Sequence, residues 1–235
     1  MMEDRTRTLN GIVVNGFRSW DEILDHVDRD RRIYVAVNAE KIIAAPDQVR
    51  EMINRNVGYC DGIGAVKALR RKGLRDVVRL PGCELWLKII GRYHASWKFY
   101  IVGASPQVHE ATVKKLKEEY PDIQIVGHRD GYIRDDAERK ALIDDVAAKR
   151  PDAVFVAMGS PKQELLMTEM QRRHQAVYVG LGGSYDVYTG AVKRAPKMWQ
   201  RLNLEFMYRL VRQPSRWRRQ LNYIPFLFRL YTGRL

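Results

Sequence analysis

The chain has 235 residues, 46% of them hydrophobic and 29% charged, which is enough apolar content to bury the core of one sizeable domain. Its formal charge of +13 is unevenly placed, since residues 193–235 hold eleven basic side chains against one acid, Glu205, and so carry +10. Two separated cysteines, Cys60 and Cys83, exclude a disulfide framework or a CxxC zinc site. A polar MMEDRTRTLN start argues against a signal peptide, and no apolar run is long enough to span a bilayer. The sequence therefore predicts a cytoplasmic protein with a polyanionic partner, either nucleic acid or anionic lipid and its phosphates.

In chain order, β-rich runs occupy Gly11–Asn15, Ile33–Val37, Val57–Cys60, Phe99–Val102, Ile123–Val126, Ala153–Ala157 and Ala176–Gly180. Helical spacing of apolar residues lies between most of them, as in Trp20/Ile23/Leu24/Val27 and Val49/Met52/Ile53. This alternation predicts an α/β fold, a largely parallel sheet with helices on both faces, over residues 1–192. Residues 193–235 read as a basic helical C-terminal appendage. A helix over 198–213 would place Trp199, Phe206 and Leu210 on one face and Arg201, Arg209 and Arg212 on the other, with Pro214 ending it. The arginine–aromatic mixture beyond Pro214 is the composition of a segment lying in a membrane interface; the alternative is a basic helix packed on the domain.

Several loops could carry chemistry. The runs Phe99–Pro106 and Phe155–Pro161 both lead from a strand through Gly (Gly103, Gly159) to Ser-Pro, a design that opens a helix N-terminus toward phosphate. Ser160 and Gln163 also satisfy a capping box that needs no ligand. Asp61 follows a strand and precedes Gly62, where a carboxylate can act as a base or simply cap the helix Gly62–Arg71. Asn38 and Glu40 lie just past another strand, with a turn role as the default. Asp186, in the glycine-rich stretch Gly182–Gly190, precedes Lys193, Arg194 and Lys197, cations suited to a diphosphate. The five histidines show no ligand spacing, and Asp28-Arg29-Asp30 reads as a solvated turn rather than a metal motif, so no metal site is expected. A nucleotide-sugar enzyme built this way would neutralise its leaving diphosphate with arginine, lysine and helix N-termini.

The ordered blocks Val37-Asn38-Ala39-Glu40-Lys41, Asp61-Gly62-Ile63-Gly64, Gly127 through Asp130-Gly131-Tyr132, Gly159-Ser160-Pro161-Lys162-Gln163-Glu164, Gly182-Gly183-Ser184-Tyr185-Asp186, Lys193-Arg194-Ala195-Pro196 and Gln213-Pro214-Ser215-Arg216 resemble the bacterial WecG/TagA/CpsF glycosyltransferases. The resemblance runs over nearly the whole chain. It implies a Rossmann-like, inverting, metal-independent transferase without a cofactor, peripheral on the inner face of the cytoplasmic membrane. It points to the branch that moves N-acetyl-D-mannosaminuronic acid from UDP to undecaprenyl-diphospho-N-acetylglucosamine. By the motif match Asp61 is expected as general base, with Asn38 and Gln163 contacting substrate in the same crevice. Gly103, Gly131, Tyr132, Gly159, Ser160, Asp186, Lys193 and Arg194 are expected at the nucleotide or substrate, and Arg209, Arg212, Arg216 and Arg219 at phosphate or lipid. Ala36 stands where some relatives carry a hydroxyl residue. Transfer of neutral N-acetylmannosamine, a basic nucleic-acid-binding module and a silent nucleotide-binding scaffold are the rival readings. A homo-oligomer is compatible with all of them.

Overall fold

The computed structural model describes residues 5–201, 205, 207, 208, 217 and 221–235. Arg209, Arg212, Arg216 and Arg219, and most of the helix anticipated over 198–213, lie outside the described residues.

An eight-stranded sheet runs in the order β1-β2-β4-β3-β8-β7-β5-β6. Among the described residues, strands β1 (Thr6–Leu9) and β2 (Ile12–Asn15) form the only antiparallel pair. They are joined at Asn10 and Gly11, both at positive φ, the backbone that a two-residue hairpin turn demands. The sequence reading found β2 but not β1, although Asn-Gly is the turn's signature.

The other strands are parallel: β3 (Ile33–Val37), β4 (Val57–Cys60), β5 (Lys98–Gly103), β6 (Gln124–Arg129), β7 (Ala153–Ala157) and β8 (Val177–Gly180). β4 and β7 are buried along their whole length, so they read as unbroken apolar runs with no alternation. Three of the seven anticipated strands, β3, β4 and β7, have the anticipated limits.

Helices cover both faces. One face carries α1 (Trp20–Arg29), α5 (Gly82–Tyr93), α6 (Pro106–Glu119) and α9 (Ser184–Tyr188). Trp86 of α5 is fully buried there and meets Phe155, Tyr185 and Tyr188 edge-on with ring centroids 5.1–5.9 Å apart. The other face carries α2 (Ala39–Ala44), α3 (Asp47–Asn54), α4 (Ile63–Arg71), α7 (Asp136–Lys149) and α8 (Lys162–Arg173). A short α10 (Lys197–Arg201) follows, and the last helix, α11 (Tyr223–Thr232), joins this second face by burying Phe226 and Leu230. Gly64 of α4 makes that docking close, because a Cβ there would lie 3.0 Å from the Phe226 ring.

Two consequences position the site. The helix after β5 lies on one face and the helix after the adjacent β7 on the other, so a crevice opens between them at the carboxyl ends of the strands. The parallel register pairs Val37 with Cys60, which puts the next residues, Asn38 and Asp61, side by side beyond the sheet.

Candidate active site

The crevice has two differently built halves. At the β3–β4 end, Asp61 accepts no cap from its own helix. α4 starts with Gly62 as N-cap and no side-chain bond, which sets aside the alternative that Asp61 simply caps Gly62–Arg71. Its Oδ1 instead accepts the backbone N–H of Gly82, the first residue of α5, at 2.7 Å. A carboxylate at a helix N-terminus faces the favourable end of the dipole. Gly82 permits this approach, since a Cβ there would lie 3.0 Å from Ala36 Cβ and 3.2 Å from Tyr59 Oη. The preceding loop completes the clamp, with Leu80 N–H on Cys60 O at 2.8 Å and Arg79 Nε on Asp61 O at 2.9 Å. Asp61 Oδ2 has no hydrogen-bond partner among the described residues.

Most of the charged groups nearby are committed to one another. Tyr59 Oη is fully buried, without a hydrogen-bond partner among the described residues, and burial, then Asp61, pushes its pKa well above the ordinary value. Cys83 is pushed up to about 11 by burial, with Arg194 opposing, so it is a neutral thiol and not a nucleophile. Asn38 caps α2, its Oδ1 accepting Lys41 N–H at 2.9 Å. Lys41 Nζ reaches the buried Glu164 at 2.8 Å. Gln163 is buried beside it, its Oε1 accepting Gly182 N–H at 2.9 Å and its Nε2 lying over Gly180. Arg194 is bound by acids, 2.6 Å from Glu84 and 3.3 Å from Glu205. Glu205, 6% exposed, is shared with Arg79, so the single acid of the basic tail is tied to the loop that holds Asp61. Arg194, expected at the nucleotide or substrate, is thus already paired with two acids in this structure.

At the β5–β7 end lies a cavity of about 490 Å³, lined among others by Ala104, Ser105, Gly131, Tyr132, Met158 and Lys162. Its floor is a tight crossing of backbones. Gly103 has φ +114, and a Cβ there would come within 2.3 Å of Ala157 O, while Ala104 N–H donates to that carbonyl at 2.8 Å. Ser105 caps α6 with Pro106 in its first turn, as anticipated. The matching reading for Ser160 is corrected: Pro161, not Ser160, is the N-cap of α8, with no side-chain cap, and Gln163 is engaged by the Gly182 amide rather than by Ser160. Tyr132 stands 62% exposed at the rim. Of the cations there, Arg134 pairs with Glu138 and Arg139 with Glu169, whereas Lys162 has no ion pair among the described residues.

Asp186 lies apart from the cavity lining, its carboxylate over Gly183 at the start of its own helix. Lys193 is exposed and has no ion pair among the described residues. Arg79, Glu84, Lys162 and Glu205 were not singled out from sequence. Lys162 stood inside a matched block, and Glu205 was conspicuous as the one acid of the tail.

The sequence profile of the glycosyl transferase WecG/TagA/CpsF family matches residues 9–235, nearly the whole chain. The chain belongs to that family, and it is a glycosyltransferase of the WecG/TagA/CpsF type.

Proposed function

We propose that the chain transfers N-acetyl-D-mannosaminuronic acid from UDP to the 4-hydroxyl of undecaprenyl-diphospho-N-acetylglucosamine, the step that extends the lipid-linked precursor of enterobacterial common antigen. The observation that carries the reading is Asp61, fixed through Oδ1 to the α5 N-terminus with Oδ2 uncommitted and Asn38 at the neighbouring strand end, in a chain of this family. Asp61 takes the proton of the acceptor hydroxyl as its oxygen attacks the anomeric carbon; UDP departs from the opposite face, so the configuration inverts.

The donor's nucleotide occupies the β5–β7 cavity. Tyr132 offers an exposed aromatic face for the base. Lys162, in the first turn of α8, has the wrong sign for the helix dipole until an anion sits against it. From β7 to β4 is three strand spacings, about 14 Å, a distance an extended nucleoside-diphosphate sugar can bridge. No metal is needed if Lys162 and tail arginines balance the diphosphate.

Membrane docking has a described counterpart. The face of α11 turned away from Phe226 and Leu230 shows Ile224, Leu227, Phe228 and Tyr231, spaced i, i+3, i+4, i+7 and 44–68% exposed. No helix among the described residues is long and apolar enough to cross a membrane. The stripe would enter the headgroup boundary while the surrounding arginines meet lipid phosphate.

The test supplies the full chain with UDP-linked uronate or neutral N-acetylmannosamine, a short-chain polyprenyl-diphospho-N-acetylglucosamine and EDTA, and follows UDP release. Uronate transfer unaffected by EDTA supports the proposal. Preference for the neutral sugar moves the chain to the teichoic-acid-like branch, and no transfer from either donor overturns it. Flotation with anionic vesicles, lost on Leu227→Glu/Phe228→Glu, tests the docking face separately.

A further inference from the structure

The most self-contained cluster outside the crevice pairs two histidines that are 19 residues apart in sequence. His109, on α6, is 1% exposed, and its Nδ1 lies 3.1 Å from the Gly103 carbonyl. A carbonyl only accepts, so Nδ1 carries the proton and Nε2 keeps its lone pair. That Nε2 faces His128 Nδ1 on β6 at 3.0 Å. Two lone pairs cannot face each other at that distance, so a proton or a cation must lie between them. The carboxylate of exposed Glu110 joins them, and one donor atom from each of the three residues falls within 4.8 Å of the others. Among the described residues Glu110 has no ion pair, and the His128 side chain hydrogen-bonds only to His109.

We propose that His109 Nε2, His128 Nδ1 and the Glu110 carboxylate bind a divalent transition-metal ion of the zinc class, at a site separate from the reaction centre. Two neutral imidazoles with one carboxylate suit zinc, whereas magnesium and calcium require oxygen donors. Metal-bound histidines typically donate their second N–H to a carbonyl or carboxylate, the relation His109 already has to Gly103. Zn–N bonds of about 2.0–2.1 Å in a tetrahedron separate two nitrogens by roughly 3.3–3.4 Å. The rings need only part by a few tenths of an ångström, and Glu110 can close its gap by changing rotamer. The fourth position opens to solvent at the sheet edge. An ion here would tie edge strand β6 to α6 and, through His109, steady the Gly103 turn under the nucleotide cavity. Asp61 is five strands away, so the ion takes no part in proton transfer.

The experiment uses chelator-treated, tag-free full chain titrated with Zn²⁺ by calorimetry, with thermal unfolding followed with and without the ion. His109 is left intact, because it also holds Gly103. One equivalent should bind and raise the Tm; His128→Gln should weaken binding at least tenfold and abolish the Tm rise, and Glu110→Gln should weaken it less. Mg²⁺ should neither bind nor compete. Absence of saturable Zn²⁺ binding would overturn the proposal and leave a proton shared between the two rings. Stoichiometric binding undiminished in His128→Gln would overturn it equally, by placing the ion elsewhere.

Discussion

The two halves of the crevice lie on one sheet and are built on opposite principles. Around Asp61 nearly every charge is already answered from within the protein: Arg79 and Arg194 by Glu205, Arg194 also by Glu84, and Lys41 by Glu164. Around the β5–β7 cavity Arg134 and Arg139 are answered by Glu138 and Glu169, but Lys162 is left unanswered among the described residues. Preorganised donors and bases act without reorganisation cost at the moment of reaction, whereas a site that binds and releases a polyanion needs a cation free to receive it. Under the proposed function the difference separates a chemical half from a binding half, and substitutions in each should move different kinetic constants.

The sharpest break comes at Asp61. Asp61→Asn keeps an oxygen for Gly82 N–H and removes the base, so kcat should fall about a hundredfold or more while donor affinity holds. UDP-sugar binding by calorimetry beside steady-state turnover checks this, and near-normal turnover would remove Asp61 from the chemistry. Glu205→Gln comes next. Removing one partner of a fully buried pair costs about 3–5 kcal/mol, but Arg79 and Arg194 are 22% and 26% exposed, so about 2 kcal/mol is expected. That lowers the Tm by roughly 4–8 °C. Because Arg79 also holds the Asp61 carbonyl, kcat should drop about tenfold with donor KM little changed. A thermal shift without loss of kcat would reduce Glu205 to a purely structural tie.

How far the sequence revealed these halves follows from the range of the interactions involved. Strands β4 and β7 were legible because burial on both faces leaves an uninterrupted apolar run, and Asp61 because it follows such a run directly. β1 was missed: Thr6-Arg7-Thr8-Leu9 buries only Leu9, and its evidence lay in the Asn-Gly turn. The two Ser-Pro loops look alike locally yet end differently, since Ser105 caps its helix while a contact to Gly182, 19 residues on, claims Gln163. What holds Asp61 is Gly82, 21 residues away at the first position of α5, and Glu205 reaches Arg79 across 126 residues. No local pattern encodes either distance. The tail's +10 charge pointed to a polyanion, but it could not reveal that Arg194 is already answered by two acids.

A smaller effect is expected at the binding half. Lys162→Met should raise the donor KM about tenfold, close to 1.4 kcal/mol, with kcat within about twofold. The remaining UMP and UDP affinities locate the loss: if Lys162 faces the diphosphate, UDP binding weakens more than UMP binding. Equal weakening of both would place Lys162 at the nucleoside or outside the site.

Ionic strength gives the gentlest separation of the two halves, and it needs no substitution. The Debye length shortens from about 10 Å at 0.1 M salt to about 3 Å at 1 M, which weakens attraction to a solvent-facing cation far more than a pair shielded from water. Lys162 is exposed at its helix N-terminus, while Glu205 and Glu164 are 6% and 1% exposed. Raising salt from about 0.1 to 0.5 M should therefore raise the donor KM a few-fold and leave the Tm within about 2 °C. Measuring the same shift in Lys162→Met isolates the cause: its KM should depend less on salt than that of the unsubstituted chain. A Tm that fell steeply while KM stayed flat would invert the assignment, because the network around Asp61 would then be the half open to water and the cavity the half closed to it.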